Sequence, residues 1–322
     1  MRLEFPEAKR IAHSAIKAVG ASDAIAHSLT DAVLSAELAG SKAVGFAHLT
    51  DYLDGFTNGR IAKDVEPKIS FPAGAAIVID AQNGIAQLGF DRVFEKLIHR
   101  ADTYGVVVLA LSNSYTVGEL GYYTRRLAGA GLVAMATCNA PAQMTTLESG
   151  KAVYGTNSLS FAAPVLNGWP LVIDQSCSAT AFVNVRRAAQ HGEAIPEGWA
   201  VNEKGEPTTD AREAVKGLLL VFGGMQGGNI ALITEILAAG VTGANWSMDA
   251  PTFSEGSKNP GVGLFLVAIK PELLAGNFIA RLASQISRLA ENGVRIPGSN
   301  ITVHEIDVPE SIIEQVKQYS IR

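Results

Sequence analysis

The chain has 322 residues, which is enough to bury a substantial core and favours about two domains. Hydrophobic residues make up 48% of the sequence and charged residues 18%, which is not the composition of a disordered chain and predicts that subunit contacts cover part of the surface. The net charge is -5 and Lys and Arg form no long run, so no electrostatic footprint for nucleic acid is present. We expect a homodimer and no nucleic-acid partner.

The sequence contains no membrane or secretion pattern. No apolar segment precedes a cleavage site near the amino terminus, and no apolar run approaches the roughly 18 residues that span a bilayer. We therefore expect no membrane partner and a cytoplasmic protein. The two cysteines, Cys138 and Cys177, lie in apolar or small-residue stretches and predict packed thiols in a reducing compartment. The six histidines show no metal-binding spacing, so no metal is predicted.

The first part of the chain reads as helices. Three segments carry apolar residues at helical spacing: the first ends at Gly20, Ser22 can cap the second, and the third ends near Asn58 and Gly59. The apolar positions are Ile11, Ile16 and Val19, then Ile25, Leu29, Val33 and Ala36, then Leu49, Leu53 and Phe56. We predict a helical N-terminal unit over residues 1–70, with the C-terminal segment 285–322 packing back against it.

The pattern then changes to strands alternating with helices. Short apolar runs at 76–80, 106–110, 132–136 and 171–174 predict strands, and helical spacing over 90–98 and 120–128 predicts helices between them. The fold class is therefore α/β. We assign residues 71–190 and 218–284 to a cofactor and catalytic domain with a mixed sheet. Residues 191–217 form a turn-rich insertion that is predicted to be irregular, and residues 249–263 form a second turn-rich stretch.

Residues 129–134 match the Gly-x-Gly-x-x-Ala dinucleotide fingerprint in residue type but not in structural context. The fingerprint requires the glycines to follow a strand and open a helix, whereas these glycines follow a helical stretch and precede an apolar run. A helix C-cap is the better interpretation. The sequence therefore does not predict a Rossmann fold.

Two loops are candidate ligand sites. The glycine loop at 223–228 follows an apolar run and precedes an apolar helix over 229–239, so its backbone N–H groups could cradle a phosphate or carboxylate. A tight turn that packs a small-residue helix explains the same glycines. The loop at 112–118 follows a strand and is rich in hydroxyl and amide groups, which suits either ligand binding or ordinary N-capping.

Several stretches, in order along nearly the whole chain, resemble the malate/L-lactate dehydrogenase family. They lie at 155–157, 174–178, 195–200, 207–210, 223–227 and 295–298. The resemblance implies a helical unit with a mixed-sheet NAD(P)-binding domain distinct from the Rossmann fold, a usual dimer, and hydride transfer between NAD or NADP and a small 2-oxo or cyclic 2-imino carboxylate. It places the coenzyme along Thr116, Val117, Gly118, Glu119 and Leu120, near Thr156, beside Asp174, Gln175 and Ser176, and close to Gly224 and Met225.

The departures from the family pattern concern the acid and the substrate ligand. The family commonly has a Ser-His pair that delivers a proton and an Arg that grips the substrate carboxylate, where this chain has Ala43, Val44 and His48. Thr116, Asn184 and Gln226 also replace usual residues. We predict His48, with Tyr52 one turn later and Asn184, as catalytic residues, and His48 and Gln226 as substrate ligands.

The missing Ser-His pair leaves two functional hypotheses. Reduction of a ketone needs a general acid that contributes roughly 100- to 10,000-fold, whereas a cyclic imine is protonated before the hydride arrives. An active reductase would therefore favour an imine substrate or use an acid placed elsewhere, such as His48. The alternative is a catalytically inactive relative that binds a dinucleotide or carboxylate as a sensor.

Overall fold

The computed structural model describes residues 1–166, 168–298 and 305–321. The chain opens with one short strand and three helices, and strands and helices are mixed along the rest of it. The helices are α1 (Phe5–Ala18), α2 (Asp23–Leu38), α3 (Phe46–Thr57), α4 (Ala86–Asp91), α5 (Phe94–Tyr104), α6 (Gly121–Gly129), α7 (Phe182–His191), α8 (Ala211–Lys216), α9 (Met225–Glu235), α10 (Phe278–Glu291) and α11 (Glu310–Ile321).

The strands are short except for two that form the middle of the largest sheet. They are β1 (Arg2–Glu4), β2 (Lys68–Ala73), β3 (Ala76–Asp80), β4 (Val106–Ser114), β5 (Val133–Cys138), β6 (Met144–Thr145), β7 (Leu159–Ala163), β8 (Leu171–Gln175), β9 (Ala200–Val201), β10 (Pro207–Thr208), β11 (Leu218–Leu220), β12 (Val262–Ile269) and β13 (Glu305–Asp307).

The largest sheet has seven strands in the order β2-β3-β4-β12-β5-β7-β8. The β3–β4 pair is parallel and the other pairs are antiparallel, so the sheet is mixed. Along β12, residues 262–266 are all buried, as expected of a central strand covered on both faces. This strand order is not that of a doubly wound sheet, and the prediction of a mixed-sheet α/β fold without a Rossmann fingerprint is confirmed.

The helical unit has its own apolar core. Ile16, Ile25, Leu49 and Leu53 are fully buried in one cluster with side chains of the C-terminal helix α11, among them Ile313. The hydroxyl of Ser22 accepts a hydrogen bond from the Ile25 N–H at 3.4 Å and caps α2, as predicted. The segment 285–322 is predicted to pack against this unit. Side chains between residues 305 and 321 contribute to its core, whereas α10, which overlaps the start of the segment, has no buried side chain.

A second, smaller sheet has four strands in the order β10-β9-β11-β6. It packs with α7, α8 and α9 around a separate apolar cluster that includes Val185, Ala214, Leu219 and Ala231. The interval 191–217, predicted to be irregular, thus contains β9, β10 and α8. The domain boundaries remain a prediction.

Three local predictions need correction. The helical spacing over 90–98 belongs to two helices, because the backbone leaves α-geometry at Val93, with φ -120 and ψ 0. The helix after the glycine loop begins at Met225 rather than Asn229 and ends in a π-helical turn over Ile236–Val241. Strand β12 was not predicted at all. In contrast, Gly131 has φ +84 just after α6, so the helix C-cap interpretation of 129–131 is confirmed.

Both cysteine side chains lie inside the protein. Cys138 and Cys177 are buried and free, and burial raises their pKa values to about 12 and about 11, so both are packed thiols as predicted. Among the described residues, no three His, Cys, Asp or Glu side chains are grouped so that they could hold a metal ion. Within the same residues, the helices fall short of the length and apolarity that a bilayer span requires.

The central position of β12 generates a stability prediction. Leu266 is fully buried between β4 and β5, so Leu266→Ala should lower the free energy of unfolding by about 2–5 kcal/mol through lost burial and a residual cavity. Leu274, which is 77% exposed, is the matched control, and Leu274→Ala should leave the urea midpoint unchanged. Equal midpoints for both variants would contradict the placement of β12 at the centre of the core.

Candidate functional site

His48 lies in the first turn of α3 and is held by hydrogen bonds at both ring nitrogens. Its Nδ1 is 2.7 Å from Asp51 Oδ2, one helical turn later, and its Nε2 is 3.0 Å from Thr116 Oγ1. Thr116 belongs to the segment between β4 and α6. One imidazole therefore connects the helical unit with the end of a central strand of the large sheet.

Tyr52 and Gln87 extend this cluster into the interior. The Thr116 hydroxyl donates to the Tyr52 hydroxyl at 2.6 Å, and Gln87 Nε2 donates to the same Tyr52 oxygen at 3.0 Å and to the carbonyl of Val117 at 3.1 Å. Tyr52 is only 1% exposed, and burial raises its pKa to about 12. The phenol therefore stays protonated at neutral pH. We call the group Asp51, His48, Thr116, Tyr52 and Gln87 the His48 cluster.

An aromatic side chain from the stretch 249–263 packs against the cluster. The Phe253 ring meets the His48 ring edge to face, with centroids 5.8 Å apart. The buried Tyr115 hydroxyl fixes this stretch, because it donates to the Phe253 carbonyl at 2.7 Å and to the Asp51 carbonyl at 3.1 Å. The stretch is irregular up to β12, as predicted.

The segment 116–121 continues from the cluster to Asp174 at the end of β8. Gly118 has φ +66, and a Cβ there would lie 3.0 Å from Gln87 Nε2, so this turn favours glycine for both conformation and space. The Gly121 N–H donates to Asp174 Oδ2 at 2.7 Å and opens α6. The carboxylate of Asp174 therefore takes the position of an N-cap group for α6.

Asp174 has an unusual acidity for an aspartate that borders a cavity. Although the residue as a whole is exposed near the end of β8, protein atoms packed around its carboxylate desolvate that group and raise its pKa to about 6, against the smaller opposing effect of the Gly121 N–H. A pKa in this range lets the charge of the site change near neutral pH.

Asp174 and Gln175 line a cavity of about 360 Å³. Ser41, Glu119, Arg125 and Arg295 contribute its other polar side chains. Arg125 pairs with the buried Glu119 and donates to Ser35 Oγ at 2.7 Å, whereas its Nε–H, buried beside the cavity, has no acceptor among the described residues. The cavity thus offers guanidinium and hydroxyl donors next to carboxylate acceptors.

Backbone hydrogen bonds join this strand end to the glycine loop. The Cys177 N–H donates to the Thr156 carbonyl at 2.8 Å, and the Phe222 N–H donates to the Cys177 carbonyl at 2.9 Å. Gly223 and Gly224 follow with φ +57 and +61, and a Cβ on either would meet no atom within 4 Å. The segments predicted around 116–120, 156, 174–176 and 224–225 therefore form one connected line in the structure.

The glycine loop leaves an open helix start. Gly224 is the N-cap of the eleven-residue α9 and supplies no capping side chain. A Cβ at Gly227 would lie 1.8 Å from the Phe222 carbonyl oxygen, so this glycine serves close packing of the turn. Both interpretations of the loop thus apply, to different glycines.

Two predicted site residues lie apart from the His48 cluster. Asn184 is in the first turn of α7 and donates to Thr180 Oγ1 at 3.0 Å. Gln226 is exposed in the first turn of α9, beside Met225, which is 76% exposed. Among the described residues, no hydrogen bond joins either side chain to His48. The roles of Asn184 and Gln226 remain predictions.

Sequence reasoning missed five polar members of these two neighbourhoods, one of them Ser41. Asp51 could have been found, because it lies three residues after His48 on the same helix. Arg295 lies in a stretch that carried the family resemblance but was given no site role. Gln87 and Arg125 come from helices that the sequence alone does not bring to the site.

Comparison with known proteins shows the family of the chain. A profile described as malate/L-lactate dehydrogenase matches residues 3–307. The chain belongs to this family. The (2R)-3-sulfolactate dehydrogenase (NADP(+)) of Chromohalobacter salexigens is 33% identical over 99% of the chain and 98% of its own length. The Δ1-pyrroline-2-carboxylate/Δ1-piperideine-2-carboxylate reductase of Pseudomonas aeruginosa is 30% identical over 92% of the chain and 90% of its own length.

Solved structures agree with the family assignment. The crystal structure of Δ1-piperideine-2-carboxylate reductase from Pseudomonas syringae has a TM-score of 0.92 and 28% identity, and the match covers 99% of each chain. Sulfolactate dehydrogenase from Methanocaldococcus jannaschii has a TM-score of 0.88 at 24% identity, over 99% of this chain and 96% of the other, and shares the fold. The predicted family, fold class and enzyme class of this malate/L-lactate dehydrogenase family member are confirmed.

The acidity of Asp174 generates a prediction about pH. Its folded-state pKa of about 6 exceeds the ordinary value of 3.8, so the folded protein binds the proton more tightly than the unfolded chain does. The ionised carboxylate therefore costs stability above pH 6, and this cost disappears as pH falls below 4. Asp174→Asn retains an acceptor for the Gly121 N–H without the charge, and should raise the thermal midpoint at pH 8.

The advantage of Asp174→Asn over the wild type should shrink steadily as pH falls from 7 to 4. Asp249→Asn, at a carboxylate that does not line the cavity, is the control and should follow the wild-type pH profile. A constant difference between Asp174→Asn and the wild type across this range would mean that the Asp174 pKa is not raised.

Proposed function

We propose that this chain is an NAD(P)H-dependent reductase of a small 2-oxo or cyclic 2-imino carboxylate, working between the His48 cluster and the cavity beside Asp174. The observation that carries the proposal is the connected line of segments from Thr116 through Asp174 to Gly224. The coenzyme is NAD or NADP. When bound, it supplies a hydride from its reduced nicotinamide ring.

The donors and acceptors along this line fit a dinucleotide. Arg125 and Arg295 line the cavity with positive charge, beside the carboxylates of Glu119 and Asp174. Carboxylates such as Asp174 accept hydrogen bonds from hydroxyl groups. The residues proposed to hold the coenzyme are Thr116, Val117, Gly118, Glu119, Leu120, Thr156, Asp174, Gln175, Ser176, Gly224 and Met225.

The substrate class is proposed from the two kinds of relative. One relative is named as a sulfolactate dehydrogenase and the other as a reductase of two cyclic imino carboxylates, and these substrates share a carboxylate beside the reacting carbon. We propose His48 and Gln226 as groups that recognise that carboxylate, with His48, Tyr52 and Asn184 near the chemistry. Domain boundaries at 1–70, 71–190 with 218–284, and 191–217 are retained as part of this proposal.

Assays with both coenzymes test the function. We expect loss of reduced-nicotinamide absorbance with at least one of pyruvate, oxaloacetate, sulfopyruvate, Δ1-pyrroline-2-carboxylate and Δ1-piperideine-2-carboxylate. Calorimetric titration with NADH and NADPH accompanies the assays. Tight coenzyme binding without turnover of any of these substrates would favour the inactive sensor instead.

A substitution at His48 tests its proposed role as proton donor or carboxylate ligand. Its position between Asp51 and Thr116 suits either proton donation or carboxylate binding, so His48→Ala should lower turnover at least about tenfold. His99→Ala, at an exposed histidine on α5, is the control and should keep wild-type kinetics. Unchanged kinetics in His48→Ala would move the proton source and the carboxylate ligand elsewhere.

We also propose that the enzyme is a cytoplasmic homodimer. Buried free thiols suit a reducing compartment, and exposed apolar side chains such as Leu232, Ile233 and Ile236 suit a subunit contact. Sedimentation equilibrium should give twice the chain mass of 33.8 kDa. A mass of 33.8 kDa at micromolar concentration would exclude a stable dimer.

A further inference from the structure

Three side chains of the His48 cluster stand in the order carboxylate, imidazole, hydroxyl. Asp51 Oδ2 is 2.7 Å from His48 Nδ1, and His48 Nε2 is 3.0 Å from Thr116 Oγ1. His48 and Asp51 come from one turn of α3. Thr116 comes from the segment between β4 and α6, which is proposed to hold the coenzyme and is called the coenzyme segment below. This order moves a proton between an imidazole and an oxygen in many enzymes, because the carboxylate orients the ring and stabilises its cation.

We propose that the Thr116 hydroxyl gives the proton to the substrate, with His48 supplying that proton and Asp51 positioning and stabilising the imidazolium. The proposal rests on the reductase function proposed above and names its acid. It replaces the Ser-His pair, which is absent at Ala43 and Val44, with groups drawn from another turn of the helical unit and from the coenzyme segment.

The distances in the cluster allow a continuous proton path. His48 Nδ1 lies 2.7 Å from a carboxylate oxygen of Asp51, which accepts its hydrogen, so Nε2 is the nitrogen that faces Thr116 Oγ1 at 3.0 Å. The Thr116 hydroxyl lies 2.6 Å from the Tyr52 hydroxyl. When Nε2 carries a hydrogen, Thr116 Oγ1 can accept it and pass on its own hydrogen.

The place of Thr116 in the chain selects it as the delivering group. Both ring nitrogens of His48 lie within hydrogen-bond distance of a partner, and Tyr52 is only 1% exposed. Thr116 is partly exposed and opens the segment 116–120, which is proposed to hold the coenzyme. Tyr52, held by Gln87, is then a positioning residue that holds the Thr116 hydroxyl through a hydrogen bond.

The proton step balances without a further reactant. When hydride adds to C2 of a 2-oxo acid, the C=O π pair moves to the oxygen, which takes the hydrogen of Thr116 Oγ1. Thr116 takes the Nε2 hydrogen of His48, and His48 is left neutral with its Nδ1–H facing Asp51. Solvent returns one proton to His48 before the next turnover. A protonated cyclic imine becomes an amine without this step.

The test compares 2-oxo acid and cyclic imine turnover in matched Thr116 variants at saturating coenzyme. Thr116→Val removes the hydroxyl at nearly constant volume and should lower turnover of the 2-oxo acid by roughly 100-fold or more, but that of the imine by less than about tenfold. Thr116→Ser keeps a hydroxyl and should recover most of the lost turnover. Asp51→Asn should show the same selective loss. Thr103→Val and Asp249→Asn, both at exposed positions, are the controls.

Two further readouts separate the relay from folding and coenzyme effects. Coenzyme Kd by fluorescence and the thermal midpoint are measured for every variant, so that a loss of turnover is assigned to chemistry. In ¹⁵N-edited spectra, the His48 Nε2–H should exchange slowly with water in the wild type and in Thr116→Ser, and fast in Thr116→Val.

Failure of the relay and failure of the reductase function would give different results. Equal losses for both substrate classes in Thr116→Val, full activity in that variant, or a wild type that reduces cyclic imines but no 2-oxo acid would each overturn the relay and leave the reductase function standing. Coenzyme binding with no turnover of either class in the wild type would overturn the proposed function, and the relay with it.

Discussion

The candidate site depends on the pairing of β12 with β4. Val262, the first residue of β12, pairs with Ser114, the last residue of β4, and a register shift follows between Val262 and Leu264. This pairing fixes the segment that leaves β4, which carries Thr116, beside the segment that enters β12, which carries Phe253. Because both segments meet α3 at the same edge, His48 is contacted from two sides by parts of the chain that are distant in sequence.

Two ionisable groups with different surroundings divide the chemistry of the site. His48 is joined to a carboxylate and a hydroxyl, which suits proton transfer. Asp174 is desolvated beside the cavity and has its pKa raised to about 6, while its oxygen caps α6. The segment 116–121 runs between the two groups, so a ligand held along it would be close to both.

Two of the positions at which the sequence analysis expects a departure from the malate/L-lactate dehydrogenase pattern lie together in three dimensions. His48 and Thr116 are within hydrogen-bond distance of each other, whereas Asn184 and Gln226 lie apart from them. Independent loss of function would not be expected to leave replacements that are mutual partners. The retained glycines at 118, 223 and 224 keep the positive φ values that their turns require.

The sequence by itself determined the helical start, four strands of the large sheet, the family and the coenzyme class. Helical spacing, strand-like apolar runs and glycines are local patterns, and the ordered family stretches need no structure to be recognised. It failed at β12, whose first two residues lie within the stretch 249–263 that its glycines and prolines predict to be turn-rich. The sequence pattern predicts one helix where the structure has α4 and α5, because the apolar residues of both helices continue one helical spacing across Val93.

Only the tertiary structure decided which polar residues act together. Gln87, Arg125 and Thr116 come from separate elements, and their distances to Tyr52, Glu119 and His48 depend on how the helices pack on the sheet. The same packing sets desolvation, so the raised pKa of Asp174 could not be read from its neighbours in the chain. Local sequence specifies elements, whereas hydrogen-bond partners and local dielectric arise from contacts between residues far apart in the chain.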